Sequence, residues 1–350
     1  MIDLVDVAVV DAREGGSVAH ALARREAMDA LRADCLRGLP PGAGPIIRVA
    51  DRLARRWLQR SASPYRDEVA AIAKIAGGPG AYVINTAYEW ACTAATVGPD
   101  GAAPTLVRTL DWPFAGLGRW VTVARQAGLA GEFWNVTWPG AVGVLTAVAP
   151  GRFAATINQA PLYRRTRGEL LRPLDYAINA ISSWIRVRHA PPAHGLRQVF
   201  ETAPDYSRAR VMLAAMPVAR PVLFALIGTA PGECCVIERT PVGGRVVEGR
   251  VLVANDWQTP QSRWEPRSCG GPYATDSLDR CAALAAAVAV PGQAFSWLRP
   301  PVLNWATRLA VEMTAADGTL RVVGYEPTDG RRPARQATNL FDLVQERAAA

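Results

Sequence analysis

The sequence is almost without lysine: Lys74 stands alone among 39 basic residues, and the rest are arginine. It has three histidines (His20, His189, His194), no Cys-x-x-Cys pair, and no apolar run long enough to cross a bilayer. Each absence closes off a class. With so few histidines and no paired cysteines, a zinc site of ordinary ligand spacing cannot be assembled, and no metal is expected. No Gly-x-Gly-x-x-Gly or Walker loop opens a helix, so a nucleotide-binding fold has no support and no cofactor is expected. No integral membrane segment is expected either. The start, Met1 to Asp6, lacks the basic region and sustained apolar core of a secretory signal, so the expected setting is cytoplasmic. Six cysteines (Cys35, Cys92, Cys234, Cys235, Cys269, Cys281) are an even number. A cytosolic chain of this length nevertheless needs no disulfide framework.

What is present points to a folded protein. Half of the 350 residues are apolar, 20% are charged, and there are eleven tryptophans. That composition is ample for a buried core and excludes a disordered chain. The formal charge of +8 comes from scattered arginines, many with acidic neighbours, as Arg24 and Arg25 have Glu26 and Asp29. The densest group is Arg52, Arg55, Arg56 and Arg60 beside Asp51. A nucleic-acid surface would show a longer basic stripe interleaved with aromatics, so nucleic acid is not an expected partner. Self-association is left open.

The first ninety residues read as helix. Apolar residues recur every three or four positions over 19–36 and 46–58, with a breaker from Pro40 and Pro41 to Pro45. Ser63-Pro64 opens a third helix, which Gly77-Gly78-Pro79-Gly80 stops. From Tyr82 the period is that of strands. Residues 92–97 and 104–110 flank Gly98-Pro99-Asp100-Gly101, which is hairpin turn chemistry. Further strands are predicted over 120–125, 132–138, 142–149 and 152–158, then helix over 171–188 and 194–216. Strands return over 222–228, 233–239 and 245–255. Helix is expected from Thr275 to Val288, and a last hairpin turns at Ala316-Asp317-Gly318. Blocks of strands alternating with blocks of helices argue an α+β fold with antiparallel sheets.

Cys92 heads a predicted strand, and the hairpin returns Arg108 and Asp111 toward it, so that thiol, guanidinium and carboxylate share one edge of the sheet. A cysteine nucleophile needs a lowered pKa and a proton acceptor, and a nearby cation supplies the first. None of the histidines is placed by sequence to serve as base. The α-amino group of Cys92 itself, with an ordinary pKa of about 8, would serve if the Ala91–Cys92 bond were cut.

Cys92-Thr93 with Arg108-x-x-Asp111, then an aromatic and a proline, resembles the cysteine N-terminal-nucleophile hydrolases. The branch it looks like is acid ceramidase and N-acylethanolamine acid amidase; choloylglycine hydrolase, penicillin V acylase and isopenicillin N acyltransferase are wider relatives. Gly143 to Thr146, Pro150 to Phe153 and Thr156 to Asn158 resemble the paired central strands of that family. Val253-Ala254-Asn255-Asp256 and Asp279-Arg280 resemble its later segments. The resemblance implies a four-layer αββα sandwich of two antiparallel sheets. It implies residues 1–91 as a helical pro-segment that becomes a small subunit, cleaved between Ala91 and Cys92, and 92–350 as the catalytic domain.

By the same resemblance Cys92 is the nucleophile and Asp111 holds its amine. Arg108 orients the thiolate or the substrate carbonyl, Asn255 donates to the oxyanion, and Asn158 lies at the pocket rim near the leaving amine. Arg280 braces the site through a carboxylate. Two departures stand out: Gln159 where the branch tends to carry Glu, and Asp256-Trp257 after Asn255. Trp112 and Trp134, with neighbouring aromatics, are candidate walls of an acyl-chain pocket. The expected activity is hydrolysis of a non-peptide linear amide, a small-molecule N-acyl amide, through a Cys92 thioester. Acyl transfer to an amine, and an unprocessed binding protein on the same fold, are the alternatives.

Overall fold

The computed structural model describes residues 3–39, 42–86, 90–99, 101–166, 168–186, 188–266, 268, 276–289, 293–328 and 332–344. Pro40, Pro41, Asp100, Cys269 and Thr275, singled out above, lie outside them. Strand β1 (Ala8–Asp11) precedes five helices: α1 (Gly16–Ala23), α2 (Arg25–Arg37), α3 (Gly44–Arg60), α4 (Arg66–Ala76) and α5 (Ala81–Thr86). The hairpin β2 (Ala91–Val97) and β3 (Thr105–Asp111) follows. After it come β4 (Thr122–Gly128), β5 (Gly131–Thr137), β6 (Thr146–Ala149), β7 (Phe153–Gln159) and the short β8 (Leu162–Tyr163). Helices α6 (Arg172–Arg186), α7 (Pro192–Thr202) and α8 (Tyr206–Ala215) lead to β9 (Val222–Ile227), β10 (Cys234–Thr240), β11 (Gly243–Glu248), β12 (Leu252–Val253) and β13 (Trp264–Glu265). Last are α9 (Asp276–Val288), β14 (Thr307–Thr314), β15 (Thr319–Glu326), β16 (Arg335–Gln336) and β17 (Phe341–Asp342).

These strands form two large sheets. One runs β1-β4-β5-β6-β7-β9-β10-β11, and the other β12-β2-β3-β14-β15-β16, with β17 also on β15. Helices α7 and α8 cover the first sheet, α9 covers the second at β2 and β12, and the sheets meet where β7 lies across β2 and β3. The expected α+β fold and its αββα layering are borne out. One apolar core joins the sheets, with Leu106, Leu110, Val148, Ile157, Leu309 and Val311 among its members. A second lies under the N-terminal helices around Met28, Trp57, Leu58, Val69 and Ile72.

Several sequence expectations are corrected. The stretch before Cys92 is not all helix: β1 pairs in parallel with β4, Ala8 against Thr122. Such a short strand is too brief to show a period. The helix read over 19–36 is two, parted at Arg24, whose φ of −121° and ψ of 32° leave the helical region. The strand expected from Tyr82 is instead α5, because Asp51 Oδ1 accepts from the amides of Tyr82 (3.0 Å) and Val83 (3.1 Å) and caps a helix there. Only the end of 142–149 is strand. Its start wraps around Asn85, whose Oδ1 accepts from the Val142 amide at 2.7 Å and whose Nδ2 donates to Gly140 O at 2.9 Å. The helix over 194–216 divides into α7 and α8, the second N-capped by Asp205 accepting from the Arg208 amide at 2.7 Å. The strand over 245–255 divides between both sheets, turning at Gly249 with φ 100°.

Candidate active site

The β2–β3 hairpin forms as expected, with Cys92 opposite Leu110, Ala94 opposite Arg108 and Ala91 opposite Asp111. Because side chains alternate across a strand, this register puts Cys92 and Arg108 on one face and Asp111 on the other. The expectation that the three groups share one edge is therefore refined. Thiol and guanidinium face β7, while the carboxylate faces α9. Both β2 and β3 are internal strands, flanked by β12 and β14.

On the β7 side, Arg108 Nη2 donates to Cys92 Sγ at 2.9 Å and to Ile157 O at 3.2 Å, and Nη1 donates to Thr146 Oγ1. Cys92 Sγ lies 3.5 Å from Ile157 O. Both Cys92 and Arg108 are fully buried. Burial pushes the Cys92 thiol up to about 11, against the pull of Arg108 and with Asp111 adding to the rise. The thiol is thus held protonated, beside a cation placed to stabilise its anion.

On the α9 side, Arg280 is the organising group. Its Nη1 donates to Cys92 O (2.7 Å) and Thr93 Oγ1 (2.6 Å), its Nη2 to Asn255 Oδ1 (2.9 Å), and its Nε to Asp276 Oδ2 (3.0 Å). Asp111 Oδ2 lies 3.9 Å from Arg280 Nη1, and Asp111 Oδ1 accepts from Thr307 Oγ1 at 2.8 Å. Arg280 therefore reaches a carboxylate, as the resemblance implied, and also grips the Cys92 carbonyl.

Asn255, just past β12, ties both sides together. Its Oδ1 accepts from the Cys92 amide at 3.1 Å and its Nδ2 donates to Gln159 O at 2.8 Å. The side-chain amide thus touches the backbone nitrogen that cleavage would free. The Gln159 side chain acts elsewhere, its Oε1 accepting from the Trp90 amide at 2.8 Å, which anchors the segment leading into Cys92. Ser277, which accepts from the Asn255 amide at 2.9 Å, had no sequence signal as a site residue, and Thr93, Thr146 and Gln159 stood in segments singled out by resemblance without the contacts they make here.

Two expected positions are corrected. Asn158 is not at a rim; it is fully buried and its Nδ2 bridges from β7 to Val253 O (3.2 Å) and Ala254 O (3.0 Å), fixing the Asn255 segment from below. Trp134 lines none of the described cavities; it lies on β5 with Arg125 over its ring at 5.5 Å. Trp112 does wall an apolar chamber of about 200 Å³, with Met28, Leu31, Ile47, Ile72 and Phe114. Among the described residues no His, Cys, Asp and Glu cluster could hold a metal ion, and no helix is long and apolar enough to cross a membrane.

No protein-family profile matches the chain. Among curated proteins it is 26% identical over 215 residues to the N-acylethanolamine-hydrolyzing acid amidase of Cavia porcellus, covering 58% of this chain and 56% of that one. It is 27% identical over 217 residues to the acid ceramidase of Heterocephalus glaber, covering 56% and 52%. The chain thus spans about half the length of the curated relatives it matches. Among solved structures, a Caenorhabditis elegans N-acylethanolamine-hydrolyzing acid amidase ortholog aligns with a TM-score of 0.47 and 15% identity, over 64% of this chain and 92% of that one. Over somewhat more than half of its length the chain is similar to N-acylethanolamine-hydrolyzing acid amidases and acid ceramidases.

Proposed function

We propose that this relative of the acid amidases is a self-processing cysteine amidase that hydrolyses a non-peptide linear N-acyl amide. The observation that carries the reading is the convergence on one residue: Arg108 on the Cys92 thiol, Asn255 on its amide nitrogen and Arg280 on its carbonyl. In the maturation step the Cys92 sulfur attacks the Ala91 carbonyl and the amide nitrogen takes the thiol proton. Water then cleaves the resulting thioester, leaving a carboxylate on Ala91 and a free amine on Cys92.

That amine is the base of the mature site. It accepts the thiol proton, the thiolate attacks the substrate carbonyl, and the proton passes to the departing amine. A second water releases the acid. Arg108 stabilises the thiolate, Asn255 and Asp111 hold the α-amine, and a second N–H of Asn255 serves the oxyanion. The apolar chamber walled by Trp112 takes the acyl chain.

The test is turnover of a panel of N-acyl amides by the wild type and Cys92→Ala, with amine release as readout. Release by the wild type alone, with an acyl-thioester adduct in the mass spectrum of a quenched sample, supports the reading. Equal release by both proteins contradicts it.

A further inference from the structure

His194, near the start of α7, is fully buried, and its Nδ1 lies 2.7 Å from Ser63 Oγ. Ser63 Oγ accepts from the Tyr65 amide at 3.2 Å, and among the described residues His194 Nδ1 is the acceptor within reach of its own hydrogen, which assigns Ser63 as the donor of that bond. Burial, aided by Arg197, pushes the His194 pKa down to about 3, and the ring is neutral at ordinary pH. A neutral ring that accepts at Nδ1 carries its proton on Nε2. Among the described residues Nε2 has no hydrogen-bond partner.

That ring lines a cavity of about 40 Å³ together with Trp57, Trp90, Trp112, Trp138 and Leu145. The volume admits more than one water-sized group. Three of the lining residues are chain neighbours of site residues. Trp90 stands two residues before Cys92, Trp112 follows Asp111, and Leu145 precedes Thr146, which holds Arg108. Trp112 also walls the apolar chamber, so the two spaces share a side chain. In self-cleavage Trp90 belongs to the acyl half of the bond that Cys92 attacks, so one wall of the cavity comes from the acyl side of that bond.

We infer that this cavity receives the first carbons of the substrate's acyl group and that His194 Nε2 donates to an oxygen carried on them. The preferred substrates are then hydroxyacyl or oxoacyl amides, with the rest of the chain in the apolar chamber. This rests on the amidase reading. A buried N–H without a partner keeps its desolvation penalty when a plain methylene lies against it and loses that penalty when an oxygen does. One such bond corresponds to about a tenfold preference.

The experiment compares decanoyl 4-nitroanilide with its 2-, 3- and 4-hydroxy and 3-oxo derivatives, using the processed wild type, His194→Asn and His194→Gln. Asparagine keeps a group for Ser63 at the δ position but has nothing at Nε2, whereas glutamine reaches the Nε2 position. The expected result is about tenfold higher kcat/KM for at least one oxygenated chain in the wild type. That preference is lost in His194→Asn and partly retained in His194→Gln. Equal kcat/KM for plain and oxygenated chains in the wild type overturns the inference, as does a preference that survives in His194→Asn. If no anilide is cleaved and no acyl-thioester forms, it is the amidase reading that fails. Calorimetric binding of decanoate and 3-hydroxydecanoate then decides the subsite: tighter hydroxyacid binding that His194→Asn abolishes supports it, and equal binding overturns it.

Discussion

Replacing Arg280 with methionine tests how the site is held together. The guanidinium is fully buried and donates to Asp276, Cys92 O, Thr93 and Asn255 at 2.6 to 3.0 Å. Methionine fills much of the same volume and donates nothing, leaving buried acceptors and the Asp276 and Asp111 carboxylates without this cation. Removing one partner of a buried charge pair costs about 3–5 kcal/mol. Shared acceptors make the bonds non-additive, so the expected loss is about 4 kcal/mol and not a sum over four bonds. At about 2.1 cal/mol/K of unfolding entropy per residue, that lowers the Tm of a 350-residue chain by about 5 °C. The assay is thermal and urea unfolding in a Cys92→Ala background, so that processing does not alter the comparison. A loss below about 1 kcal/mol would refute the claim that Arg280 organises the site.

Acid should weaken the fold. Burial lowers the pKa of His20 to about 4 and of His194 to about 3, against 6.5 unfolded. The unfolded chain then binds more protons below pH 6.5, so stability is full above that pH and falls beneath it, by about 2 kcal/mol per histidine at pH 5. A urea midpoint that does not move between pH 7.5 and pH 5 would sink this. Trp112→Ala should depress turnover of long acyl chains more than short ones, and Trp134→Ala should not discriminate; equal effects of the two variants would argue against the chamber. After processing, residues 1–91 should stay bound, because β1 is paired in the large sheet and α7 holds the helices through Arg197–Glu68 (2.6 Å), Tyr65–Glu201 (2.6 Å) and Ser63–His194 (2.7 Å). Gel filtration without denaturant should give one peak holding both chains, and two separate peaks would contradict it.

The hairpin carrying Cys92, Arg108 and Asp111 was legible because turn residues and strand period agree there, and both depend on neighbours in sequence. Its faces were not read: alternation places Asp111 opposite to Cys92, and only the position of α9 shows what meets it. Asn255 and Arg280 could be named by resemblance, but their union on Cys92 arises from long-range packing of β12 and α9. The same holds for α5. Its apolar run Tyr82, Val83, Ile84 is rich in β-formers, and a cap from Asp51, distant in sequence, turned it to helix. Asn158 was expected at the pocket rim by resemblance alone, yet it spans the gap between the sheets. Gln159, noted as a departure, proves a good acceptor for the Trp90 amide where a carboxylate was expected.

The central claim is that Cys92 becomes an N-terminal nucleophile, and intact mass of the purified wild type beside Cys92→Ala addresses it most directly. The expected result is two masses for the wild type, corresponding to residues 1–91 and 92–350, and a single uncut mass for the variant. A wild-type chain that stays whole over days from mild acid to neutral pH would leave no α-amino base at Cys92 and would contradict the account.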